Sequence, residues 1–98
     1  MNTTIYVTNF SGYTYDSAKE FGEEIVYMTN GFLDLTKMDE LKSKIKEFIA
    51  KAEPSDYLII SGNNLIAGYA LHLWIVKFGF SNVLHWDSLR KVYIHYIV

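Results

Sequence analysis

Over residues 4–10 (TIYVTNF) apolar and polar positions alternate, and β-branched and aromatic side chains dominate, which predicts a first strand. SGYTY at 11–15 breaks that pattern. Ser17 with Glu20 three residues on has capping-box spacing and predicts a short helix over 16–22, ended by Gly22. EEIVYMT (23–29) reads as a second strand, and Asn30-Gly31 is a turn signal. From Thr36 the period changes. Met38, Leu41, Ile45, Phe48, Ile49 and Ala52 recur at helical spacing and form one apolar stripe. The pairs Glu40–Lys44 and Glu47–Lys51 stand four residues apart on the opposite side, and Pro54 closes the helix.

Residues 56–60 form a nearly continuous apolar run, as in a strand buried on both faces, and Gly62 ends it. Residues 64–78 predict a second long helix that is apolar nearly all round, with Gly79 as a natural C-cap. SNVLHWD (81–87) and VYIHYIV (92–98) read as strands joined by the turn SLRK. The order β-α-β-α-β-α-β-β implies a single domain over residues 1–98 of the α/β class. The expectation is a Rossmann-like three-layer α/β/α sandwich, with a mostly parallel sheet and a C-terminal antiparallel hairpin.

In such sheets ligands sit beyond the carboxyl ends of the strands, near the point where strand order reverses. Two loops are expected there. One carries Asn9, Ser11 and Gly12; the other carries Ser61, Gly62, Asn63 and Asn64; Asp87 ends the fourth strand at the same edge. Two readings stay open for this corner. Gly62 allows close backbone approach and the next helix presents free N–H groups, which suits a nucleotide-like ligand. Equally, Gly62 makes the turn, Asn63 or Asn64 caps the helix, and Asp87 starts a turn. Neither a GxGxxG nor a P-loop pattern is present. Ser61, His85 and Asp87 offer a serine, a histidine and an aspartate without the nucleophile-elbow context, and His72 lies in a helix with no HExxH pattern. No catalytic pair, metal site or cofactor is implied, so binding is favoured over catalysis.

The helix at 64–78 needs cover on every side. It is either buried between sheet and first helix or exposes Tyr69, Trp74 and Phe78 as anchors for a partner, including a second copy of the chain. Tyrosines near strand ends (Tyr13, Tyr15, Tyr27, Tyr93, Tyr96) suit a recognition surface and an ordinary β-rich core alike.

Charge changes this picture modestly. The chain has 98 residues and a net charge of −2, unevenly spread: residues 1–56 carry −4 and residues 57–98 carry +2. An acidic half argues against nucleic-acid binding, which needs dense Lys and Arg. There is no cysteine, and so no disulfide or Cys-based site. No signal peptide is evident at the start MNTTIYV, and the longest apolar run, 65–76, is shorter than the ~20 residues that span a bilayer. A cytoplasmic location, away from membranes, is the expectation.

DYLIISGNNLIAGYALHLWIVKFGFSNVLHWDSLRKVYI, together with IYVTNFSGYTYDSAKEFG and EEIVYMTNGF, resembles small α/β proteins of phages and other mobile elements. The shared pattern is D-Y-apolar-SG, an apolar helix, a K-x-G-like end and a terminal W/F-D, which Gly62 and Asp87 match; Trp74 and His72 are particular to this chain. The resemblance covers most of the chain, and its motifs are structural. It implies a compact phage-encoded protein in the host cytoplasm that binds and inhibits or modulates a host protein, such as a defence factor, by analogy rather than by spacing.

Overall fold

The computed structural model describes residues 3–10, 12 and 15–98. Five strands form one sheet: β1 (Thr4–Val7), β2 (Glu24–Tyr27), β3 (Tyr57–Ile59), β4 (Asn82–Asp87) and β5 (Val92–Ile97). Their spatial order is β2-β1-β3-β4-β5. All neighbours run parallel except β4 and β5, which pair antiparallel from Asn82↔Ile97 to Asp87↔Val92. The chain thus steps outward from β1 to β2, then returns across β1 to β3 and continues the other way.

Right-handed crossovers put connections that step in opposite directions on opposite faces. The helices α1 (Met38–Lys51) and α2 (Asn64–Phe78) share one face. Their Ile45, Ile49, Ile66, Ala70 and Trp74 pack on Tyr6 of β1, Leu58 of β3 and Met28, the residue just after β2. The expected stripe of α1 faces this core throughout. The Trp74 ring meets Tyr6 edge-on, with centroids 5.5 Å apart. Lys77 ties the two helices together: its ammonium donates to the carbonyls of Ile49, Ala50 and Ala52 at 2.7, 3.0 and 3.1 Å, at the end of α1, where the last carbonyls lack helical partners; the Ile49 oxygen also accepts from the Ala52 N–H.

The opposite face, with Ile5, Val7, Ile59 and Leu84, is covered differently. The helix expected over 16–22 is instead a five-residue 3-10 helix, Asp16–Glu20, which covers the sheet with Tyr15, Ala18 and Phe21. Ser17 lies inside this helix, so it cannot serve as the cap of a capping box; Tyr15 precedes the first turn with no side-chain cap. The segment is too short to repay α-helix nucleation. It is also pinned at its end by Gly22, where a Cβ would lie 2.7 Å from the Thr3 carbonyl oxygen. The sheet is therefore thickly covered on one face and thinly on the other. No helix among the described residues is long and apolar enough to cross a membrane.

Candidate functional site

The reversal of strand order falls between β1 and β3. The chain fills this place with its own polar groups. The Thr8 hydroxyl donates to the Ser61 carbonyl and accepts from the Ser61 N–H at 2.7 Å, extending the β1–β3 pairing by one step. The Thr29 hydroxyl donates to the Thr8 carbonyl (2.6 Å) and to Asn9 Oδ1 (2.9 Å). Asn9 Nδ2 donates to the Gly31 carbonyl at 3.1 Å. Thr8, Asn9 and Thr29 are all buried, and Gly62, at φ +86°, sits against the Asn9 side chain.

Several residues singled out in the sequence are thus accounted for locally. Asn9 has both ends of its amide occupied by the protein. Asn63 caps α2, its Oδ1 accepting from the N–H groups of Leu65 (2.9 Å) and Ile66 (3.3 Å). Asn64 is the first residue of α2 and is exposed. Gly12 is exposed at φ +95°, and Ser11 lies outside the described residues. Asp87 starts the β4–β5 turn. Its carboxylate accepts from Leu89 N (3.0 Å), Arg90 N (3.1 Å) and Arg90 Nη1 (2.9 Å). The Arg90 N–H, then the Arg90 guanidinium and the Leu89 N–H, hold this carboxyl below the ordinary carboxylate value, with the charge of His85 adding least.

Trp74 is fully buried, and Tyr69 and Phe78 pack beside it against the same core, so these three face the helix pair; α2 turns Leu65, His72 and Val76 outward instead. The Ser61–His85–Asp87 combination is not assembled, because the Ser61 hydroxyl bonds the Tyr15 hydroxyl (2.9 Å) and Asp87 is committed to Arg90.

The open space lies one strand further along. β3 pairs with β4 only through Tyr57↔Asn82 and Leu58↔Val83, yet β4 runs on to Asp87. Where pairing stops, the strands part and leave a cleft of about 770 Å³ on the thinly covered side. Leu84, Trp86 and Tyr93 line one wall, Ile59 and Ser61 the other, and Tyr15 with Ser17 the end. Trp86 and Tyr93 stand opposite each other in the β4–β5 register with ring centroids 5.1 Å apart. Burial raises the Tyr93 pKa, the neighbouring Tyr15 and Tyr27 adding to it, so the phenol stays a neutral donor.

The backbone contributes as well. Ser81 and Val98 exchange both of their hydrogen bonds. Antiparallel alternation then turns the backbone groups of Leu84 and Trp86 away from β5; the Leu84 N–H completes the last β3–β4 bridge, which leaves the Leu84 C=O and the Trp86 N–H and C=O toward the cleft. Apart from His85 at the rim, the lining has no basic side chain. Size, apolar lining and a few convergent polar groups are the attributes of a ligand site. Of this wall the sequence marked only Ser61 as a ligand residue. Leu84 and Trp86 lie in the strand read over 81–87, but where the strands separate was not legible.

Among the described residues no three His, Asp or Glu side chains gather closely enough to hold a metal ion.

The chain is thus a small α/β protein with a mostly parallel five-stranded sheet and an aromatic-walled cleft at its carboxyl edge. The chain belongs to the family of Phage Pam3 gp32-like proteins, which matches residues 5–98, in agreement with the resemblance to small phage proteins. No curated protein and no solved structure matches.

Proposed function

We propose that this protein is a non-enzymatic binding protein whose β3–β4 cleft holds a flat, uncharged, mostly apolar small molecule. The carrying observation is the cleft itself, about 770 Å³, lined by Trp86 and Tyr93 and by the hydrogen-bonded Tyr15–Ser61 hydroxyl pair. An aromatic wall stacks on a planar ring, and the two hydroxyls with the strand carbonyls and N–H groups supply hydrogen bonds at its edge. A phosphate-bearing ligand is disfavoured because no Lys or Arg reaches this lining.

The test is titration with free nucleobases and uncharged heteroaromatics, read by Trp fluorescence and thermal shift, beside the corresponding nucleotides. Saturable binding of uncharged probes, weakened in Trp86→Ala and Ser61→Ala and kept in Asn64→Ala, supports the reading. Binding only of nucleotides, lost in Asn64→Ala, overturns it and returns the site to the Ser61–Asn64 corner.

A second reading is favoured by a separate observation. At the hairpin, Leu89 is 88 % exposed and Trp86 41 % exposed, forming an apolar tip on a protein of a phage family. On this reading the protein binds and inhibits or modulates a host protein, such as a defence factor, through that tip. Capture of one stoichiometric host protein, lost in Leu89→Asp and kept in Ser61→Ala, supports it.

A further inference from the structure

The two edges of the sheet are unlike. The β2 edge is short and carries the exposed Glu24 next to Glu23, charges that discourage strand addition. The β5 edge is longer, and residues 92–98 (VYIHYIV) contain no Lys, Arg, Asp, Glu, Pro or Gly. Ile97 is 71 % and Val98 54 % exposed, so the edge is apolar as well as unpaired.

Its pattern identifies the occupant. Val98 exchanges both backbone bonds with Ser81, which places Tyr96, Ile94 and Val92 in the bonded pairs with β4. The N–H and C=O groups of Tyr93, His95 and Ile97 therefore point outward. Read about His95, the segment pairs with its own reverse: Val92 with Val98, Tyr93 with Ile97 and Ile94 with Tyr96. Every pair but the central one is aromatic with β-branched, or valine with valine, the cross-strand combinations that stabilise sheets. Backbone phase agrees, because an axis through His95 sets outward residues opposite outward residues. An axis through Ile94 instead sets Ile97 against Lys91, and Val98 against Arg90, of the turn.

We propose that β5 pairs antiparallel with β5 of a second copy about a two-fold axis at His95, joining two sheets into one continuous ten-stranded sheet. The interface is isologous, as a two-fold requires. It brings no Lys, Arg, Asp or Glu of residues 92–98 together, the two His95 side chains meeting at the axis, and it leaves α2 and the β3–β4 cleft free. The contact is one strand wide, below the size of a permanent interface, so the pairing depends on concentration.

The experiment is sedimentation equilibrium across a concentration series, with amide hydrogen exchange on the same samples. The expected mass doubles as concentration rises, and protection rises together at Tyr93, His95 and Ile97, whose amides are free in the single chain. Ile97→Lys weakens the dimer roughly tenfold or more, since the charge enters twice, whereas Leu65→Lys on α2 has no effect. Should Ile97→Lys fail to fold, the exchange pattern of the unaltered chain decides. A single-chain mass at every concentration, or a dimer lost in Leu65→Lys with the Tyr93, His95 and Ile97 amides still free, overturns the proposal.

Discussion

The Thr8 hydroxyl occupies both backbone groups of Ser61, accepting from its N–H at 2.7 Å and donating to its carbonyl. One side chain thereby stands in for a further step of the strand ladder between β1 and β3. Thr8→Val keeps the shape but leaves two polar groups in a mostly buried place without partners. The expected loss is about 1–3 kcal/mol of stability, read by urea denaturation.

Gly62 and Asn9 make a second tight relationship. A Cβ at position 62 lies 2.7 Å from the Asn9 Cβ, and the backbone there has φ +86°. Gly62→Ala therefore meets a left-handed backbone and a clash at once, for an expected loss of about 2–4 kcal/mol. Gly31→Ala is the control: it is also left-handed, at φ +64°, with open space around it, and is expected to lose about 1–2 kcal/mol.

Lys77 holds the end of α1 through three carbonyls. Lys77→Met retains the aliphatic stem and removes the ammonium. The expected cost is about 1–2 kcal/mol, with amide exchange at the C-terminal turn of α1 rising ahead of the rest of the protein.

Ser81 is fully buried, and its hydroxyl has no hydrogen-bond partner among the described residues. Ser81→Ala is expected to raise stability by about 1 kcal/mol, seen as a higher midpoint in thermal or urea unfolding.

The lowered pKa of Asp87 sets a pH dependence for the hairpin turn. A depressed carboxyl contributes its stability fully above its unfolded-state value, and that contribution disappears as pH falls through the lower folded-state value. The Leu89 and Arg90 amide resonances are expected to shift together in acid, below the ordinary carboxylate range, and to lose that titration in Asp87→Asn.

The sequence exposed most strongly those features that local chemistry controls. The stripe from Met38 to Ala52 reported α1 because its period is intrinsic, and Asn63 and Gly79 bracket α2 with ordinary cap chemistry. Residues 16–22 misled, because capping-box spacing says nothing of how tightly Gly22 is held against Thr3. Trp74 was ambiguous because α2 is apolar on all sides, and only its packing against α1 decides which side is inward. The cleft was invisible for a related reason. Its walls are ordinary strand residues, and their separation depends on pairing that ends after Leu58↔Val83.

Asp56 accepts from the Thr4 N–H and the Glu53 N–H, both at 2.9 Å, and so anchors the start of β3 beside the start of β1. Those strands lie 52 residues apart in the chain, while β4 and β5 are joined by a tight turn. The hairpin is thus a local event on a microsecond scale, whereas the middle of the sheet waits on closure of a long loop. The centre of the sheet therefore depends on an encounter between distant parts of the chain that Asp56 holds once made, while the hairpin needs only its own turn.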